Sequence, residues 1–195
     1  MEKKEKEVFY KSSWFKTVLI FVIVFVISFG AFRVTLMPTF VDGNSMYPTL
    51  SHLDYAISDR VFYKIGGLDR FDIITFTYKK STLVKRVIAL EGEHIVYKDG
   101  VLTINDKVVE EKFISKSAKL ATTDDYGEID LVVPKGEVFV MGDNRYSGKS
   151  LDSRFFGTIE EDKIQSVGIL KIGKCKAIKN DRCSGISLKW PKKVK

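Results

Sequence analysis

The sequence predicts a mainly β protein: a single N-terminal transmembrane helix followed by one antiparallel β-sheet domain. Three observations carry this. Thr17 to Phe32 is sixteen residues without a charge. Beyond it, short apolar runs alternate with turn residues, and no stretch sustains a helical period. Tyr, Phe, Val, Ile and Thr are common, which favours strands.

Taken in order, residues 1–16 form a short Lys-rich segment with Lys3, Lys4, Lys6, Lys11 and Lys16. Residues 17–37 form the span; a helix from about Phe15 to Met37 reaches roughly 30 Å at 1.5 Å per residue, enough to cross a bilayer. Lys16 and Arg33 at its ends can snorkel to the interface. The Lys bias on the N-terminal flank places that flank in the cytoplasm and the domain outside the cell membrane. A cleavable leader is the competing reading, since Ser28 and Gly30 are small and spaced like a cleavage site. The long apolar run, with charges on both flanks, favours an uncleaved single-pass anchor.

Residues 38–175 form the domain, long enough to bury a core. Expected strands are Phe71–Thr77, Val84–Leu90, Val138–Met141 and Val167–Ile172. His94–Tyr97 and Val101–Ile104, joined by Lys98-Asp99-Gly100, form a hairpin, and Lys107–Val109 follows the turn at Asn105-Asp106. Residues 112–130 read as a long loop or peripheral strands. Glu160 to Gln165 holds one helical turn. Residues 176–195 read as a basic C-terminal tail.

The net charge is +7, but Lys171 to Lys195 holds eight Lys and one Arg against one Asp, a local +8, so the first 170 residues carry −1. The bland reading is a solvated tail; the sharper one is contact with anionic membrane lipid. Nothing resembles a nucleic-acid motif. Cys175 and Cys183 are close enough in sequence for one disulfide, and no neighbouring ligands suggest zinc. No metal or cofactor is expected.

Two residues invite a chemical reading. Ser45 lies about a dozen residues past the span, in Asp42-Gly43-Asn44-Ser45-Met46-Tyr47-Pro48-Thr49-Leu50. A serine hydroxyl needs a base to become a nucleophile. The two histidines, His52 and His94, allow a triad of Ser45, His94 and Asp72, but nothing in the sequence frames it. A lysine held neutral by burial is the other base. In Leu83-Val84-Lys85-Arg86-Val87-Ile88, Lys85 shares one strand face with Leu83, Val87 and Ala89, and Arg86 shares the other with Val84, Ile88 and Leu90. Arginine does not give up its proton in a protein, so of the two only Lys85 can be a base. Taken singly, a serine in a turn and a lysine in a strand are ordinary structural residues.

The joint pattern changes this. Asn44–Leu50, then Arg70-Phe71-Asp72-Ile73, then Val84–Ile88, then Met141-Gly142-Asp143-Asn144-Arg145 with Asp152-Ser153-Arg154, occur in one order behind a span. This resembles the type I signal peptidases of the short, Gram-positive-like form over about Val41 to Gly157. The resemblance implies a membrane-anchored serine endopeptidase of the Ser-Lys protease type that removes signal peptides from secretory preproteins, cutting after small residues at −1 and −3. It implies Ser45 as nucleophile and Lys85 as general base. Ser150 matches the serine that orients the lysine amine. Asp152, Arg154 and Arg86 match a structural charge cluster. The Ser45 N–H would be one oxyanion donor. Gly43 stands where some members carry a serine as the second. Val41, Met46, Leu50, Leu83 and Val84 would line shallow substrate pockets. The segment Tyr146–Lys149 is longer than the common form by about two residues, so Ser147 is a second candidate for the role of Ser150. Phe71 replaces the usual glycine, and Glu91-Gly92-Glu93 the usual Pro-Gly-Asp. Two rivals remain: a repressor-type Ser/Lys autoprotease, disfavoured by the anchor, and a non-catalytic membrane-tethered assembly factor of the same fold.

Overall fold

A computed structural model describes residues 13–61, 63–115, 128–179 and 182–193. Ser13–Thr35 is one helix, α1, with none of its residues buried. Among the described residues it is the one helix long and apolar enough to cross a membrane. It stops two residues short of the expected end, and Leu36–Phe40 is a strand, β1. Pro38 explains the stop, because the residue before a proline is pushed out of helical conformation. The helix is one compact unit and Met37–Lys195 another.

The domain is built on strands β2 (Asp54–Asp59), β3 (Ile73–Tyr78), β4 (Ser81–Ala89), β5 (His94–Lys98), β6 (Val101–Ile104), β7 (Lys107–Val108), β8 (Ile129–Val132), β9 (Glu137–Met141), β10 (Ile159–Glu160), β11 (Ile164–Cys175), β12 (Ile178–Lys179), β13 (Arg182–Cys183) and β14 (Ile186–Lys193). Two helical turns, α2 (Tyr63–Gly66) and α3 (Ser153–Phe156), and a 3-10 turn at Glu161–Lys163 complete it. The main sheet runs β1-β2-β11-β3-β4-β9-β10, with β14 also paired to β11. A second sheet runs β7-β6-β5-β8. The strand pairs of both sheets for which a register is defined are antiparallel.

The expected strands at 71–77, 84–90, 138–141 and 167–172, and the hairpin at 94–104, are all present within a few residues. Of the stretch 112–130, residues 116–127 lie outside the described residues, and Ile129–Val132 is a peripheral strand on β5. The C-terminal segment differs from a tail. Cys175 and Cys183 are disulfide-bonded, and β14 adds to β11 from Leu170 to Cys175. Its alternating Ile186, Leu188 and Trp190 carry a strand pattern that the lysine count overshadowed. Strand β2 was not legible either, because its inward positions are Asp54, Ala56 and Ser58 rather than large apolar residues.

Two cores flank the middle of the main sheet. Val87, Val138 and Val140 pack with Ile74, Phe76, Ile159, Ile164 and Val167. Ile88, Phe139 and Met141 pack with Ile95, Tyr97, Leu102, Ile104 and Val133 under the second sheet. Adjacent residues of β9 thus enter opposite cores, as the strand period requires. Ala89 joins the second group instead of following Val87, because the β4–β9 register shifts between Val87 and Ala89. A third cluster, Val41, Met46, Leu50, Ala56, Ile73 and Ile169 with Val84 against it, seats the loop that carries Ser45. Gly168, at φ 67°, accommodates a register shift between Val167 and Ile169, a backbone state that resists other side chains. Beneath this region the hydroxyls of Ser58, Ser166 and Thr75 link β2, β11 and β3 at 2.7 and 2.6 Å, so buried polar side chains are satisfied across the sheet.

Candidate active site

Ser45 sits in the loop between β1 and β2. Buried Met46 and Leu50 pin the loop from below, while Tyr47 N–H to the Asn44 carbonyl and Leu50 N–H to the Met46 carbonyl close its turns. Met46, Leu50 and Val41 are therefore core residues; of the five expected pocket-lining side chains, only Leu83 and Val84 are half-exposed. Ser45 itself is half-exposed, and its carbonyl accepts the Asn144 N–H at 2.9 Å. The Asn144 side chain donates to the Asn44 carbonyl at 2.9 Å. The segment after β9 thus grips the Ser45 loop at two successive carbonyls.

Lys85 comes from β4, paired with Ile74 of β3. It is 2% exposed, and its Nζ lies 2.7 Å from Ser45 Oγ. Burial pulls its pKa down to about 8. Asp152 opposes that pull, Arg154 adds to it, and Asp143 opposes it more weakly. A lysine whose proton affinity is lowered by burial, in hydrogen-bond contact with a serine hydroxyl, has the geometry that a general base and a serine nucleophile require.

Neither histidine takes that place. His94 bonds to Asp130 at 2.7 Å, and Asp72 accepts the Asp69 N–H. His52 Nδ1 accepts the Gly43 N–H at 3.2 Å and lies 3.2 Å from Asp42, so it braces the loop rather than the hydroxyl. Gly43, at φ 102°, holds a conformation that suits glycine, and its N–H is engaged with His52.

Gly142 is the packing pivot. A methyl group there would overlap both the Ser45 carbonyl and Ser150. Its N–H donates to Asp152 Oδ2 at 2.9 Å. Ser150 is buried beside it, whereas Ser147 is exposed. Ser150 Oγ has no well-formed hydrogen bond in this arrangement, although it lies near enough to Asp152 to favour that carboxylate's ionised form.

Three buried ion pairs surround the pivot. Arg154 forks onto Asp152 with two bonds of 2.9 Å. Burial pushes the Asp152 carboxyl up, but Arg154 and the Gly142 N–H outweigh it and hold the group below the usual range. Arg86 forks onto Asp143 at 2.9 and 2.6 Å, donates to the Phe71 carbonyl at 2.8 Å and stacks 4.0 Å from the Phe113 ring centroid. Arg86 thus pairs with Asp143, and Asp152 with Arg154. Arg145 pairs with Glu111, and both are buried. Burial pulls the Arg145 pKa down, but Glu111 outweighs it and raises the value above its ordinary one. In the sequence Asp143, Asn144 and Arg145 stand as a contiguous motif with no role attached, and neither Glu111 nor Thr49, which donates to Asp143, stands out. Their contiguity after Gly142 was the available signal; Glu111 had none.

A family profile described as signal peptidase, peptidase S26, matches residues 12–175. Signal peptidase I of Bacillus caldolyticus is 41% identical over 133 residues, 64% of this chain and 72% of the relative. Signal peptidase I T of Bacillus subtilis is 41% identical over 136 residues, 65% of this chain and 68% of the relative. Signal peptidase IB of Staphylococcus aureus (strain COL) is 37% identical over 157 residues, 74% of this chain and 79% of the relative. Among solved structures, a signal peptidase I from Enterococcus faecalis V583 is 34% identical, with a TM-score of 0.45, covering 51% of this chain and 95% of that one.

Proposed function

The chain belongs to the signal peptidase family, peptidase S26, whose serine endopeptidases remove signal peptides, and we propose that here a Ser45–Lys85 dyad does the cutting. The observation that carries this is the 2.7 Å contact between Lys85 Nζ and Ser45 Oγ, with the lysine enclosed and its pKa lowered to about 8. Neutral Lys85 takes the Ser45 proton as Oγ attacks the carbonyl carbon of the scissile bond. The Ser45 N–H donates to the oxyanion that forms. Collapse expels the new N-terminal amine, which takes its proton from Lys85, and leaves an ester on Ser45. Lys85 then takes a proton from a water as it attacks the ester, and returns that proton to Ser45 Oγ as the acyl group leaves as a carboxylic acid, restoring the dyad.

Ser150 is proposed to steady the lysine amine, which would give its unpartnered Oγ a partner during turnover. Asp152, Arg154 and Arg86 hold the frame. Gly43 shapes the loop and, with its N–H engaged by His52, offers the oxyanion only if that bond opens. Half-exposed Leu83 and Val84 are proposed to form the walls of shallow pockets, with Val41, Met46 and Leu50 beneath them. Such pockets take small residues at −1 and −3; bulky ones overlap the walls, and charged ones lose hydration without a partner. The substrates are secretory preproteins, met at the outer face of the membrane. The Lys-rich N-terminus is proposed to be cytoplasmic, with the basic C-terminal segment touching anionic lipid.

The test is cleavage of a model preprotein by the wild type and by Ser45→Ala, with the product N-terminus sequenced. A single cut after Ala-X-Ala, lost in Ser45→Ala, is expected. Cleavage by Ser45→Ala, or efficient cutting after a −1 Phe or Lys, contradicts the reading.

A further inference from the structure

The Arg145–Glu111 pair is buried, costly and unused by the dyad chemistry. The two side chains are 1% and 2% exposed. Arg145 spends three N–H groups in fixed directions. Two go to the Glu111 carboxylate, one of them at 3.0 Å, and Nε goes to the Gly142 carbonyl at 2.8 Å. Its guanidinium also lies 5.5 Å from the ring centroid of Tyr97 on β5. Glu111 follows β7, so the pair ties the second sheet to the residue wedged between Ser45 and Ser150. Asp152 already holds the Gly142 N–H. The Gly142 peptide groups are therefore clamped on both sides, each by one member of a buried ion pair. The same turn places Asn144, whose N–H and side-chain amide hold the Ser45 and Asn44 carbonyls.

A buried ion pair is a weak source of stability, since an apolar pair of similar volume often serves as well. A carboxylate matched to an arginine fork instead fixes direction. Resting on the Ser45–Lys85 reading, we propose that Glu111 is a positioning residue for the hydrolysis. Through Arg145 it sets the Gly142–Arg145 turn, and through that turn the placement of the Ser45 main chain and of Ser150 relative to Lys85. The second sheet is thereby a brace for the catalytic geometry.

The test uses the full chain in detergent micelles with a preprotein substrate. It measures kcat, KM, the pH midpoint of activity and Tm, all per folded enzyme. Glu111→Asp keeps the charge but shortens the reach. Glu111→Leu combined with Arg145→Met removes both charges at similar volume. Ile104→Val, in the core of the second sheet, is the stability control. Ser45→Ala is the blank.

The expected result is a fall in kcat of about 10- to 100-fold for both Glu111 variants, since small misplacements near reacting groups cost that much. KM should stay within about twofold, as for an interaction felt mainly in the transition state. The pH midpoint should shift, and Ile104→Val should keep the wild-type kcat and midpoint whatever Tm it loses. The proposal is overturned if folded Glu111 variants match Ile104→Val in kcat and midpoint. It is equally overturned if neither Glu111 variant folds, because the pair is then only structural. Cleavage by Ser45→Ala at the wild-type rate overturns the dyad reading instead.

Discussion

Lys85 stands beside Ser45 because β4 carries it into the domain, and the same enclosure sets its proton affinity. Its pKa is about 8 in the folded chain against 10.5 for an ordinary lysine. Below pH 8 it is charged in both folded and unfolded chains, and the fold bears the cost of a buried cation. Between pH 8 and 10.5 the unfolded chain binds the proton and the folded chain does not, so this residue's contribution to stability rises with pH. The full swing is about 3 kcal/mol. Lys85→Met should remove it. At pH 7 the variant should be more stable than the wild type by about 1–3 kcal/mol, and the gap should close by pH 10.5 in urea titrations. A constant gap across that range would mean Lys85 titrates normally.

At this scale the sequence made Ser45 and Lys85 legible, through chemistry and the order of four motifs. It could not show that Arg86 serves Asp143, because strand alternation gives a face but not a partner. Glu111 was illegible for the same reason: a lone glutamate after a strand looks solvated until the fold encloses it.

Strands β3, β4, β5, β6, β9 and β11 were readable because their apolar residues alternate between turn signals. Strand β2 was hidden by its polar inward face, where buried Asp54 meets Lys171 and Ser58 meets Ser166. Strand β14 was hidden by charge: a segment rich in lysine reads as a tail, yet its backbone pairs with β11 over Leu170–Cys175. That pairing alters what truncation does. Ending the chain after Gly185 removes β14 and leaves the far half of β11 without its partner on that edge. Tm should fall by several degrees, for a loss of about 1–3 kcal/mol, while kcat for a soluble peptide below the new Tm stays within about twofold. An unchanged Tm would return the segment to a tail. Reducing the Cys175–Cys183 disulfide should lower Tm in the same direction, because it ties the end of β11 to β13.

For the whole molecule, the apolar helix, the site and the charge distribution all suit the cutting of a chain as it leaves a bilayer. Residues 38–170 carry a net charge of −4, 17 Lys and Arg against 21 Asp and Glu, and the positive charge lies in the two ends. The N-terminal lysines are proposed to set the orientation, N-terminus inside and domain outside. Protease added outside intact spheroplasts should therefore digest the domain, and protection until lysis would reverse the topology. The C-terminal excess should make binding to anionic vesicles fall as salt rises, with little dependence for neutral vesicles. The central claim is that an enclosed lysine, not a histidine, activates the serine. Its most direct test is the rate of preprotein cleavage by wild type and Lys85→Arg from pH 6 to pH 10, with Ser45→Ala as the blank. The wild-type rate should rise with a midpoint about 8, and Lys85→Arg should stay at the blank at every pH, since a guanidinium cannot take the proton. Cleavage by Lys85→Arg near the wild-type rate, or a midpoint near the ~6.5 of histidine, would contradict the account.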